Sequence, residues 1–233
     1  EWVKPDGLLC AVHPSGWRKP ESEKSKYCGL FDKMTHDNHM KYLEIHDTKD
    51  GMTTFNAGTR YDWYVIDKTS RGGKTEVVGE DGVSKTVDLR TLSWLGNREF
   101  DSLDSLLGDG CGVIFSRSAY GSDKEWVSSE ESSEHCHSLI HTTPKKGTRY
   151  LYSNRKDKGH FGIPKVIFGD SGIYDVIVDL SGEFGMTQHA MALPVRDEQD
   201  ALLAKQFLMS EKFQNILSSC QWSNFQIDWR LFT

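Results

Sequence analysis

No two prolines stand together in this chain; its six lie at positions 5, 14, 20, 144, 164 and 194. A catalytic loop built around a Pro-Pro dipeptide is therefore absent from it. Cysteine is scarce as well. The five thiols, at 10, 28, 111, 136 and 220, are odd in number and form no Cys-x-x-Cys pair. That argues against a disulfide framework and predicts reduced thiols in an intracellular, cytoplasmic setting. No apolar run approaches the roughly 18 residues of a membrane span, and no charged-then-apolar leader reads as a signal peptide. No membrane partner is expected. His-Glu-x-x-His and Gly-x-Ser-x-Gly are both missing, so neither a zincin helix nor a serine nucleophile elbow is present.

What remains has the composition of a folded protein. Its 233 residues, 37% hydrophobic and 11% aromatic, suffice for one large domain or two small ones, each with a core. The net charge of −6 opposes binding to phosphates, yet the charge is unevenly spread. From Pro144 to Lys165 seven bases (Lys145, Lys146, Arg149, Arg155, Lys156, Lys158 and Lys165) face a single acid, Asp157. Just upstream, residues 122–137 hold five acids in a serine-rich stretch, which predicts a mobile loop. The basic island is either a solvated face or a phosphate-binding surface. Tyr150, Tyr152, His160 and Phe161 lie within it. Asn154, Gln188 and Gln226 are of the type that reads adenine with two hydrogen bonds.

Along the chain, Leu8 to His13 is a short apolar run that predicts a buried strand. Tyr27, Leu30, Phe31 and Met34, at helical spacing, predict a helix within Glu21 to Met40. Tyr42 to Asp47 and Tyr61 to Asp67 read as strands, with Thr53-Thr54-Phe55 following a Lys49-Asp50-Gly51 turn between them. Thr75 to Val78 and Ser84 to Leu89 form a hairpin. A boundary near Ser93 to Asn97 divides residues 1–95 from 96–233. Beyond it a short helix is expected at Phe100 to Leu107. Strands are expected at Val113 to Ser116, Arg149 to Tyr152, Lys165 to Phe168, Tyr174 to Val178 and Gln188 to Leu193. Asp197 to Cys220 predicts one long helix whose apolar stripe includes Ala201, Leu202, Phe207, Leu208, Phe213 and Leu217. Gly108-Asp109-Gly110-Cys111-Gly112 follows a helical pattern and precedes an extended one. A nucleotide cradle needs the reverse order, so the run reads as a helix cap. His135-Cys136-His137 lacks a second ligand pair at finger spacing, and no metal is expected there.

The order of the first half is specific: a strand ending His13-Pro14-Ser15-Gly16-Trp17-Arg18, a helix, Tyr42-Leu43-Glu44-Ile45-His46-Asp47, then Thr53 through Ile66. It resembles the last third of the class I sheet of adenine-specific DNA methyltransferases, where the final two strands form an antiparallel hairpin. The region from 144 onward is similar to the C-terminal specificity domains of Type IIG restriction-modification methyltransferases. The likeness rests on Phe161-Gly162-Ile163-Pro164-Lys165-Val166-Ile167, on Gly182 through His189, and on Gln226-Ile227-Asp228-Trp229-Arg230. The resemblance implies a mixed α/β fold: the end of a methyltransferase sheet over 1–95, then an α+β target-recognition domain over 96–233.

It further implies a parent enzyme that moves a methyl group from S-adenosylmethionine to N6 of a flipped adenine in double-stranded DNA. The Asn-Pro-Pro-Tyr-type loop that accepts hydrogen bonds from N6, and the glycine-rich cofactor loop, would both lie upstream. The chain begins at Glu1 rather than Met, as a fragment would. The expectation is a piece that holds no cofactor itself and is silent without the missing N-terminal catalytic half. Its exposed sheet edge also invites a homodimer. The other reading is a non-enzymatic α/β interaction module whose acidic, serine-rich loop docks a partner.

Enzymes that modify a base hold the flipped base against an aromatic face. From the residues alone Phe55 reads as a core residue at a hairpin end; the resemblance implies the base-stacking role for it as an equal alternative. His13 and Trp17, at the carboxyl end of a parallel strand, are expected to wall the adenine pocket. The alternative is a polar turn with Trp17 capping the core. Lys145, Lys146, Arg149, Arg155, Lys156, Lys158, Lys165 and Gln188 are expected to contact DNA.

Overall fold

A computed structural model describes residues 3–232 apart from 6, 20, 22, 24, 26, 69–71, 101–109, 111 and 223–225. The fold is mixed α/β and divides into two compact units, 1–107 with 218–224, and 108–217 with 225–233. Each is described by itself.

The first unit is built on five strands: β1 (Leu8–Pro14), β2 (His39–His46), β3 (Tyr61–Asp67), β4 (Thr75–Val78) and β5 (Ser84–Val87), in the order β1-β3-β2-β4-β5. β3 is antiparallel to both β1 and β2, so those two point the same way with an opposed strand between them. The sequence of β3, Tyr-Asp-Trp-Tyr-Val-Ile-Asp, is aromatic and β-branched, which suits a central, doubly flanked position. The β4–β5 hairpin hangs on β2 in parallel. Helix α1 (Leu30–Thr35) lies in the β1–β2 connection, and α2 (Thr48–Phe55) follows β2.

Trp17, Phe31, Met34, Leu43, Ile45, Tyr64, Ile66 and Val77 form the core. Against it lies a fully buried ion pair. Arg18 donates from Nε and Nη2 to the two oxygens of Asp62 at 2.8 and 3.0 Å, and Trp17 Nε1 donates to the same carboxylate at 2.8 Å. Arg18 Nη1 donates to the carbonyls of Leu95 and Gly96. A buried charge persists only when its hydrogen-bonding capacity is met in this way.

Several expectations are corrected here. β1 is not buried: Leu8 and Val12 are 59% and 58% exposed, because β1 is the outermost strand of its sheet. It also pairs antiparallel, not parallel, with β3, its one neighbour among the described residues. The helix within Glu21 to Met40 contracts to Leu30–Thr35, since pairing of His39 and Met40 with β3 draws them into β2. Thr53 to Phe55 is helical. The Asp47 carboxylate caps α2 by accepting the Asp50 N–H at 2.8 Å, and Asn56, in the left-handed conformation, ends it. Gly51 is required inside α2, because a Cβ there would come within 2.0 Å of the Thr59 carbonyl.

The second unit holds two sheets. β9 (Lys165–Gly169) is flanked by β10 (Ile177–Asp179) and β12 (Ala190–Pro194). The other sheet runs β11 (Gly185–Met186), β7 (His137–Thr142), β8 (Arg149–Ser153), β6 (Val127–Ser128). Val166, Phe168, Met191 and Leu193 pack with Leu208, Phe213 and Leu217 of the helices. The strand expected at Val113 to Ser116 reduces to one bridge, Ile114 with Ala192. The acidic stretch is held by β6 pairing with β8 and by Trp126 Nε1 donating to the Ala119 carbonyl. The long helix breaks at Ser210 into α3 (Glu198–Met209) and α4 (Glu211–Ser219). The Ser210 hydroxyl accepts the Phe213 N–H and caps the second piece; Leu202 and Phe207 are exposed rather than in the core. The expected helix from 101 to Leu107, and the glycine-rich run up to Cys111 save Gly110, lie outside the described residues. Among the described residues no helix is long and apolar enough to cross a membrane.

Candidate functional site

At one end of the first sheet the carboxyl ends of β1 and β2 flank the start of β3, with Pro14 and His46 both paired to Tyr61. His46 lies flat on Tyr61, ring centroids 4.4 Å apart, and Phe55 meets Tyr61 edge-on at 4.8 Å. Asp50, in the first turn of α2, ties these side chains together. It accepts from the Tyr61 hydroxyl at 3.0 Å and the Thr54 hydroxyl at 3.1 Å, and it contacts His46 Nδ1. On the other side of the imidazole, Nε2 faces the Glu44 carboxylate at 3.4 Å, and Glu44 accepts from the Tyr42 hydroxyl at 2.8 Å.

The electrostatics follow from these contacts. The Tyr61 hydroxyl, with His46 and Thr54, holds the Asp50 carboxyl below its usual range. Burial, with the Glu44 carboxylate, pushes Tyr42 up to about 12. The arrangement is an oriented imidazole between two carboxylates, beside an aromatic ring that is 49% exposed. It presents an exposed ring at Phe55 beside an imidazole whose two nitrogens each face a carboxylate.

Of the residues named from sequence, Phe55 stands in this cluster. His13 lies at the same end of the sheet, paired with Asp62, its Nδ1 on the Pro14 carbonyl at 2.9 Å. Trp17 is no pocket wall. It is 2% exposed, stacked on Phe31 at 5.8 Å and committed to Asp62, so it belongs to the core. His46, Asp50 and Tyr61 were not singled out from sequence. Their signal was there: a strand ending in His46, followed by an Asp47 cap that sets Asp50 one helical turn from it.

In the second unit the basic island splits. Lys165 is fully buried, its ammonium on Asp179 at 2.6 Å and the Ile163 carbonyl at 3.2 Å, so it offers nothing to a phosphate. It starts β9, all five residues of which are buried. The Gln188 side chain both accepts from the Ser122 N–H at 3.0 Å and donates to its hydroxyl at 2.8 Å, so it is engaged within the protein. Lys145 lies over the Tyr174 ring at 5.1 Å. Arg155 forks onto Asp157 at 3.0 and 2.7 Å. With Lys158 it also flanks Trp126, at 5.4 and 5.3 Å. Lys145, Lys146 and Arg149 precede or open β8, whereas Arg155, Lys156 and Lys158 follow it. The two groups are therefore separated by a five-residue strand, roughly 14 Å.

Among the described residues no group of three or more His, Cys, Asp or Glu side chains is arranged to hold a metal ion. Nor, among them, does a glycine-rich loop lead from a strand into a helix. No family model matches the chain, and no curated protein matches it either. Among solved structures the chain is similar to the type IIG restriction endonuclease BpuSI, with a TM-score of 0.37 and 8% identity. The match covers 99% of this chain and 40% of that one, so the chain spans well under half of that enzyme's length.

Proposed function

We propose that the chain is the C-terminal part of an adenine-specific (N6) DNA methyltransferase of the restriction-modification kind. The first unit is the end of its catalytic sheet, and the second is its target-recognition domain. The observation that carries this reading is the state of β1. The strand runs parallel to β2 with β3 opposed between them, and its other edge is unpaired among the described residues. Leu8, Leu9 and Val12 are exposed on both its faces, and a groove of 590 Å³ lined by Leu9, Leu30, Met34, Tyr64 and Ile66 runs beside it. A strand apolar on both faces belongs inside a sheet covered on both sides. The missing catalytic half supplies that cover, and a homodimer through β1 is the other way to close the edge.

On this reading Phe55 takes the face of the flipped adenine, with His46 beside it at the carboxyl ends of β1 and β2. Lys145, Lys146, Arg149, Lys156 and Lys158 grip DNA phosphates. S-adenosylmethionine supplies the methyl group, and it binds in the missing half. This chain positions the base and reads the duplex, and alone it is silent. A second reading, a non-enzymatic interaction module, is favoured by the exposed apolar side chains of Leu202, Leu203 and Phe207 on α3. The reading frame upstream of Glu1 separates them. An in-frame Asn-Pro-Pro-Tyr-type loop and a glycine-rich loop support the methyltransferase reading. A frame that lacks both overturns it.

A further inference from the structure

Beside the start of β7, in the second unit, lies a cavity of 480 Å³ lined by His137, Lys156, Phe161, Gly162, Gly182 and Glu183, among others. That volume suits a small organic ligand. Its walls are fixed from behind. Asp179, paired with Lys165, accepts the backbone N–H groups of Glu183 and Phe184 at 2.8 and 3.0 Å and so holds their turn. Gly162 N–H donates to the Gly182 carbonyl at 2.8 Å. A Cβ on Gly182 would come within 2.6 Å of Gly162 Cα, so the two backbones lie in close contact. Phe161 is braced edge-on by Tyr120 at 5.6 Å and meets His137 at 5.9 Å. Gly185 lies so close behind its ring that a Cβ would sit 2.7 Å away.

Onto this rigid frame two exposed charges project. Neither the Lys156 ammonium nor the Glu183 carboxylate has an ion-pair partner among the described residues. A cation, a carboxylate and an aromatic edge around one cavity match the three parts of a nucleotide: phosphate, base edge and base face. We propose that this cavity binds a single nucleotide with an unpaired base. Phe161 and His137 contact the base, Glu183 accepts from its exocyclic amino group and Lys156 takes its phosphate. A carboxylate accepts from the amino group of cytosine, whereas thymine presents a carbonyl at the same edge. The site is separate from the Phe55 cluster and does not rest on the methyltransferase reading; it shares Lys156 with the basic island, so the base preference and its loss in Glu183→Gln, not the effect of Lys156→Ala, separate the two. The nucleotide is either free or part of a single strand.

The test uses the full chain and fluorescein-labelled oligo(dC) and oligo(dT) of about eight residues, with dCMP and inorganic phosphate as competitors. Oligo(dC) is expected to bind about tenfold more tightly than oligo(dT), the worth of one hydrogen bond to a charged group. Glu183→Gln should erase that preference, and Lys156→Ala should weaken both probes. Glu183 holds its turn through its backbone N–H rather than its carboxylate, so the folded state survives the change, and an unchanged unfolding midpoint verifies this. Displacement by dCMP assigns the site to free nucleotides; a strand that binds without such displacement assigns it to single-stranded DNA. Equal affinity for both strands with no effect of Glu183→Gln, displacement by phosphate as strong as by dCMP, or no binding of either strand overturns the proposal. Duplex binding that persists in such a result leaves the methyltransferase reading standing.

Discussion

His46 and Tyr61 lie with their ring planes 3° from parallel and 4.4 Å apart, and both side chains bind the same carboxylate, Asp50. Strand end, strand start and helix are thereby locked to one another by three side chains. Phe55, at the far end of that helix, is turned outward. This lock makes an exposed aromatic at a sheet's edge a fixed platform rather than a loose side chain.

Phe55 and Trp17 should therefore behave oppositely when truncated. Phe55→Ala removes a half-exposed ring and should change unfolding free energy by about 0.5 kcal/mol or less. Trp17→Ala empties a buried site and should cost about 3–5 kcal/mol. Urea denaturation of the two variants measures both. A large loss for Phe55→Ala would make it a core residue after all.

Asp62 carries the buried charge of the first unit. Asp62→Asn leaves Arg18 buried without its counter-charge and should cost about 3–5 kcal/mol. An unfolding midpoint close to that of the unchanged chain would show that Arg18 reaches solvent.

His160 gives a pH signature. Burial pushes its imidazole down to about 4 from 6.5, while its Nδ1 accepts the Met186 N–H at 3.3 Å. Between those values the unfolded chain takes up a proton that the folded chain does not. Stability should thus decline as pH falls from 6.5 and level off below about 4, by about 3 kcal/mol in all. His160→Gln should flatten that limb, as melting temperatures from pH 4 to 7 will reveal. An identical slope in the variant would place the titration elsewhere.

The elements legible in the sequence were those whose side-chain chemistry is local. β3 announces itself by a run of aromatic and β-branched residues, and the β4–β5 hairpin by its turn. What escaped depended on distant partners. The Leu8–His13 run is apolar enough for an interior strand, and only the sheet order reveals that it lies at the edge. Lys165 looks like any other base of the island; its burial comes from Asp179 on the neighbouring strand, 14 residues away. Trp17 sits at a strand's carboxyl end, as a pocket residue would, yet Phe31 and Asp62 claim its ring and its N–H. The resemblance suffices to single out Phe55, but the His46–Asp50–Tyr61 lock becomes visible only once Thr53 to Phe55 is known to be helical.

The basic groups on either side of β8 define the DNA prediction. Weak duplex binding by the chain should fall steeply with salt. Replacing Lys145, Lys146, Arg149, Lys156 and Lys158 by Ala should abolish most of it, lowering the log–log slope by roughly one for each phosphate no longer neutralised. Lys165→Met should leave the slope unchanged while costing stability, since it strands Asp179. Fluorescence anisotropy across a salt series reads both. An intact slope in the fivefold variant would make the island a solvated face.

The most direct test is methyl transfer from labelled S-adenosylmethionine to duplex DNA. Three proteins are compared: this chain, the same reading frame extended upstream of Glu1, and the extended protein carrying Phe55→Ala. We expect no transfer by the chain, N6-methyladenine from the extended protein, and a fall of about tenfold or more with Phe55→Ala, because the flipped base no longer stacks. Transfer by the chain alone, or none by the extended protein, would contradict the methyltransferase reading.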